Sequence, residues 1–383
     1  MGMSLTRRIV IATVAATGSV VLAACGQSTA PSAATVRASA EPQNTDGTVT
    51  GTVWVANEDG GSLSVLDAST HRVVATVDGI DGPHNVQTSP DGSTVWAVSG
   101  QENALVAIDA ASLTMVRSAP TGGGPAHVVV SPDGTQTFVT NSSDATLSAY
   151  RSADLEPLGT AHVGAGPHGL RPSADGTVLV VANTPDGTID LVDTATLSVS
   201  ATIPVGDSPV QVAVSGDGRF AYVSLAGEDA VAKVDLTTQA VVSTVEVPSA
   251  PVQLYLAADG STLLSADQGT EAAPGHTVSV IDPVDMSLSA SIPTGAGPHG
   301  VVIDPTGTLA WVTNLYDNTV SVLDLATFEA IATVPVGDRP NGISFSAQAP
   351  SWPTPTTVEI TVPAHAEDDD AADGHTDHEG THD

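Results

Sequence analysis

A proline recurs at Pro83, Pro125, Pro167, Pro209, Pro251, Pro298 and Pro340, at intervals of 42 residues with one interval of 47. A second landmark keeps step with it. Segments such as SVLD, VAID, DLVD and SVID end at Asp67, Asp109, Arg151, Asp193, Asp235, Asp282 and Asp324, at the same intervals. Two markers in register define a repeat, and a repeat of this length is one supersecondary unit that hides its apolar faces by stacking on its neighbours. Each unit begins with an apolar run after the proline, such as Val128–Val130, and turns at a segment such as Ser131-Pro132-Asp133-Gly134. A strand such as Gln136–Thr140 follows, then a polar turn, a strand ending in Asp, and a fourth such as Ser200–Pro204. Asp-Gly supplies the positive φ that tight hairpins need.

Four short antiparallel strands per unit predict a propeller blade, and the register predicts seven of them in an all-β fold. Six whole units run from Pro83 to Arg339. The seventh is split: Gly342–Ser346 is its inner strand, and Thr52–Ala56, Ser62–Leu66 and Arg72–Val77 are the other three. Pairing the two ends of the chain would close the ring and leave no open edge. Composition agrees: 41% of residues are hydrophobic but only 3% aromatic, with 36 Gly and 26 Pro, so the core is built of Val, Ala, Leu and Ile between many turns. The propeller is expected over residues 51–348, followed by an extension over 349–363 in which Thr356–Val362 forms an extra strand.

The segments TFVTN (137–141), LAWVTN (309–314), TVSVID and ATIPVG resemble the Tyr-Val-Thr-Asn family of bacterial and archaeal cell-surface propellers. The resemblance covers about residues 51–348 and implies the fold and a place outside the cytoplasm, without naming an activity.

The amino terminus reads as a targeting segment over residues 1–24, with Arg7 and Arg8 ahead of an apolar run, Ile9–Val21, too short for an ordinary membrane span. It ends in Leu22-Ala23-Ala24-Cys25-Gly26, which resembles the bacterial lipobox and implies cleavage before Cys25 and lipid attachment to its thiol. Residues 25–50 then form a flexible stalk, and the protein is expected to be an extracytoplasmic lipoprotein on the cell membrane. Cys25 is the single cysteine, so the mature chain has no disulfide and no further thiolate for catalysis or metal binding.

With 43 acidic and 10 basic residues the net charge is −33, which argues against a nucleic-acid partner and favours accumulation of cations at the surface.

The inner strand of a propeller blade starts at one mouth of the central channel. The residue after each repeat proline reads His84, Ala126, His168, Val210, Val252, His299 and Asn341, and the next reads Asn85, His127, Gly169, Gln211, Gln253, Gly300 and Gly342. Blades of a seven-fold ring stand about 51° apart, so His84, His168 and His299 are expected at nearly trigonal positions, with His127 beside them. Converging imidazoles suit Zn²⁺ or Cu²⁺. The longer unit carries its extra residues in the loop DQGTEAAPGH (267–276), which adds Asp267, Glu271 and His276 as expected ligands at the same mouth.

Residues 364–383, AHAEDDDAADGHTDHEGTHD, contain no large apolar side chain and are expected to be disordered. His365, His375, His378 and His382, with Asp377 and Glu379, are spaced for a mobile clamp on Zn²⁺, Cu²⁺ or Ni²⁺.

These features point to a lipid-anchored, monomeric propeller that binds a transition metal, most simply zinc, as a chaperone or scavenger serving a metal transporter or another envelope protein. The design is similar in architecture to periplasmic zinc-chaperone propellers. Two other classes fit the fold: a cell-surface scaffold for protein or glycan, and an enzyme of lactonase, lyase or haem d1 type. The two channel positions offer no acid, and the chain has neither Gly-x-Ser-x-Gly nor Cys-x-x-Cys-His, so binding is favoured over catalysis.

Overall fold

The computed structural model describes residues 48–352 and 354–364. The targeting segment, Cys25, most of the stalk, and the tail residues His365, His375, His378, His382, Asp377 and Glu379 lie outside the described residues. Among those described there is no helix. The strands form seven sheets, six of four strands and one of five. Their innermost strands are Val86–Thr88, Pro125–Val130, Pro167–Pro172, Pro209–Val214, Pro251–Leu256, Pro298–Ile303 and Pro340–Ser346, in blades one to seven. Each inner strand touches those of its two neighbours, and the cycle closes between blades seven and one.

Closure is as the repeat predicts. Pro340–Ser346 pairs antiparallel with Thr52–Asn57, whose partners outward are Ser62–Asp67 and Arg72–Asp78. The extra strand is shorter than expected, Thr356–Glu359, and adds parallel to Arg72–Asp78. Ile360 continues that edge, its N–H donating to the Asp78 carbonyl at 2.9 Å. Trp352 packs on the core between blades seven and one, and its Nε1–H donates to the Ala111 carbonyl at 3.1 Å.

The alternating apolar residues of the strands meet between blades. Trp54, Leu63 and Val65 of blade seven pack on Val95, Ala97 and Val106 of blade one; Val180 and Ile189 of blade three pack on Val212 and Val223 of blade four. Each sheet is therefore apolar on both faces, as sheets stacked on both sides require. The repeated aspartate is a turn device. In Asp67, Asp193 and Asp324 one carboxylate oxygen accepts the N–H groups two and three residues on, a local bond that holds the turn between third and fourth strands.

One irregularity positions the site. In blades two to six the inner strand shifts register between the proline and the third residue after it, as at Pro167/Leu170. Such a bulge breaks the strict alternation of side chains and re-aims those at the start of the strand.

Candidate metal centre

His84, just ahead of its inner strand, and His127, His168 and His299, at the bulges of theirs, meet in the channel. The Nε2 atoms of His84 and His168 lie 3.2 Å apart. The rings of His127 and His168 have centroids 4.6 Å apart, and those of His84 and His127 5.6 Å. One ring nitrogen from each of His84, His127 and His168 falls within 4.8 Å of the other two. His299 stands across the channel, its ring 6.2 Å from that of His84, and its Nδ1 is hydrogen-bonded to Gln268 Oε1.

This changes the expected trio. The closest three come from the adjacent blades one, two and three rather than from spaced walls, and His127 replaces His299 among them. His127 follows its proline by two residues, and the bulge lets side chains at both starting positions reach the channel. Glycine at the second position serves another purpose in blades three and seven. A Cβ on Gly169 would stand 2.7 Å from Gln211 Cα, and one on Gly342 2.7 Å from Asn85 Cα, so these glycines let neighbouring inner strands approach.

Two of the rings are oriented from behind. Glu58 Oε1 lies 3.2 Å from His84 Nδ1, and the Val210 carbonyl lies 3.2 Å from His168 Nδ1. Both acceptors favour the tautomer with hydrogen on Nδ1, which leaves the lone pairs of the facing Nε2 atoms directed at one another. Glu58 is itself held by Asn341, whose Nδ2 donates to Oε2 at 2.9 Å. His127 is 4% exposed, and its Nε2 is buried without a hydrogen-bond partner.

Burial, reinforced by the neighbouring imidazoles, holds His127 well below the ordinary histidine range, and the same causes bring His168 and His299 to about 3. These rings are neutral at physiological pH, the form that binds metals. Burial pushes Glu58 upward, but hydrogen bonding and charge from His84, with Asn341 and His299, bring it down to about 2, so it is ionised.

Glu58 and Gln268 were not legible from the two positions read along the inner strands. Both directly follow the residue that pairs with the repeat proline of their blade, Asn57 and Asp267. Reading that place round the ring gives Gly100, Ser142, Thr184, Ala226, Gln268, Leu315 and Glu58, which singles out the two long polar side chains.

The loop 267–276 reaches the mouth through Gln268, not through the residues expected. Asp267 is fully buried at a position that is Asn in four of the other six blades, and accepts hydrogen bonds from Ser265, Thr277 and Ser279 of its own sheet. Burial raises its carboxyl to about 7 despite those bonds. Glu271 and His276 are exposed, and no metal-ligating group among the described residues includes them. The strand period is the reason: neighbouring residues 267 and 268 face opposite ways.

The mouth is also rimmed with acid. Asp186, Glu228 and Asp317, from loops between second and third strands, accept the N–H groups of Ala165, Asp207 and Ala296 in the loops that lead into inner strands. A negative rim over a low-dielectric channel raises the local concentration of cations.

A family model described as YNCE-like beta-propeller matches residues 92–351. Among solved structures, hydrazine synthase of Kuenenia stuttgartiensis superposes with a TM-score of 0.62 at 21% identity, over 69% of this chain and 89% of that one. A putative 6-phosphogluconolactonase from Bacteroides fragilis gives 0.66 at 18% identity, over 80% of this chain and 100% of that one. The dihydro-heme d1 dehydrogenase NirN, in complex with DHE, gives 0.59 at 15% identity, over 81% and 77%. At these identities the likeness is one of fold. No curated protein matches the chain in sequence.

Proposed function

We propose that this chain, which belongs to the YNCE-like beta-propeller family, binds a first-row transition metal at the mouth of its channel through His84, His127 and His168. The observation that carries the reading is the 3.2 Å approach of two Nε2 atoms whose rings are fixed from behind by Glu58 and the Val210 carbonyl. Ligands of a tetrahedral site with Zn–N bonds of about 2.0–2.1 Å stand about 3.3 Å apart, so the pair is spaced as neighbouring ligands are. A carboxylate behind a ligating histidine raises its basicity and fixes its direction. Three imidazoles and an open fourth position suit Zn²⁺ best and Cu²⁺ next.

Binding is favoured over catalysis. Glu58, the one carboxylate against the histidines among the described residues, sits at about 2 and is a poor general base at neutral pH. We place this site in a lipid-anchored, extracytoplasmic protein, on the strength of the lipobox at Cys25. The histidine-rich tail, 364–383, acts as a weaker capturing arm, and the cargo passes to a membrane transporter.

Calorimetry with Zn²⁺ on chelator-treated protein tests the metal site. The full mature chain should bind more than one ion, and a chain ending at residue 363 should keep one tighter site that the double substitution His84→Ala, His168→Ala removes. Absence of Zn²⁺ and Cu²⁺ binding in the truncated chain would end this reading.

A further inference from the structure

Below the histidines the channel has a second tier, built from the residue four places after each repeat proline. In blades one to five it reads Gln87, Val129, Arg171, Ala213 and Tyr255, and these line a cavity of about 260 Å³. Arg171 shares its inner strand with His168, three residues and about 10 Å along it.

Arg171 is the cation in this cavity, and it takes part in no ion pair among the described residues. Arg151 pairs with Asp154 and Glu156, Arg219 with Asp235, and Arg339 with Asp59. Arg171 donates only to the carbonyl of Leu170, next to it in sequence, at 3.3 Å. The chain has 43 acidic residues, so an arginine without one in the interior of the channel stands out. Arg171 is half-buried, and a guanidinium partly withdrawn from water without a counter-charge gains when an anion docks on it. Burial lowers the basicity of Arg171, and burial raises that of Tyr255, whose hydroxyl is therefore a donor at neutral pH.

We propose that this cavity binds a small organic carboxylate, its head on Arg171 and Tyr255 and its hydrocarbon body against Pro172, Val214 and Leu256. The planar guanidinium matches a carboxylate with two parallel hydrogen bonds. A single cation with Pro172, Val214 and Leu256 beside it suits a monoanion with a short hydrocarbon tail better than a phosphate dianion. The volume is below the usual range for drug-sized ligands of about 300–1,000 Å³, so the ligand is small. The site uses none of the metal ligands and stands or falls apart from them.

The test is thermal shift and calorimetry on chelator-treated mature protein with four carboxylates (acetate, butyrate, hexanoate and benzoate), with benzyl alcohol as the neutral counterpart of benzoate, and with inorganic phosphate at matched ionic strength. At least one of the larger carboxylates should raise the melting temperature and bind at least tenfold more tightly than acetate, while benzyl alcohol and phosphate do neither. Arg171→Met should weaken that carboxylate at least tenfold with Zn²⁺ binding unchanged, and Tyr255→Phe should weaken it severalfold. No shift with any of the four carboxylates overturns the proposal. So does equal binding of benzoate and benzyl alcohol, binding of phosphate alone, or unchanged carboxylate affinity in both variants. If Arg171→Met does not fold, the wild-type comparison of charged and neutral probes and the Tyr255→Phe variant decide.

Discussion

His84 and His168 present their Nε2 atoms to one another at 3.2 Å although 84 residues separate them, a distance of two repeats along the chain. Their rings are held by different partners, Glu58 from the loop of blade seven and the carbonyl of Val210 from blade four. The pair thus depends on four blades being in place at once.

Glu58 should matter to affinity without touching the metal. Removing an outer partner of a ligating histidine usually costs 10–100-fold in metal affinity. Glu58→Gln keeps the shape and removes the charge, and should weaken Zn²⁺ by roughly tenfold, whereas His168→Ala should weaken it by roughly a hundredfold or more. Titration calorimetry of the two variants in the chain ending at residue 363 measures both. Equal affinity of Glu58→Gln and wild type would show that the carboxylate does not orient His84.

Asp267 should make the fold less stable as pH rises. Its carboxyl holds its proton to about 7 in the folded chain and would release it near 3.8 when unfolded. The stabilising contribution is complete below about 3.8, declines between there and 7, and is lost above 7. The difference between the two values corresponds to an effect on the order of 4 kcal/mol. Asp267→Asn supplies the amide that Asn141 uses to donate to Thr146 and Ser148, both at 2.9 Å. Thermal unfolding should show the variant more stable than wild type at pH 8 by several degrees, with the gap closing toward pH 4. A gap that does not change with pH would contradict the assignment.

Ring closure should dominate cooperativity. A chain ending at residue 339 loses Pro340–Ser346 and bares the edge of Thr52–Asn57 at the join. It should show no cooperative unfolding transition by calorimetry. A chain ending at residue 348 keeps the ring closed but loses Trp352, the added strand Thr356–Glu359 and the buried Ile360, and should melt several degrees lower with one transition intact.

Gly342→Val should damage fold and site together. A Cβ there would stand 2.7 Å from Asn85 Cα and 3.0 Å from the His84 carbonyl, which accepts the Gly342 N–H at 3.1 Å. The join between blades seven and one must open, costing about 1–3 kcal/mol as overpacking does, and His84 moves with it. Chemical denaturation and Zn²⁺ titration on the same preparation should both report a loss.

Much of the architecture is local and periodic, and so could be read along the chain. Prolines and aspartates in step give the repeat, Asp-Gly turns give the hairpins, and alternation gives strands with two apolar faces. The split blade follows from counting units, because a ring with one open blade would leave an unpaired edge. The equivalence of His84, His168 and His299 was likewise plain from their place after the proline.

The membership of the metal centre was not, for two physical reasons. A bulge at the start of the inner strands of blades two to six breaks strict alternation, so His127 joins His84 and His168 while His299 turns to Gln268. And a neighbour in a strand faces the opposite way, so Asp267 is spent on hydroxyls of its own sheet while Gln268, one residue on, reaches the mouth. Periodicity along a chain specifies which sheets form and how many; which side chains meet at the axis depends on three-dimensional contacts between blades, and those appear only once the ring is closed.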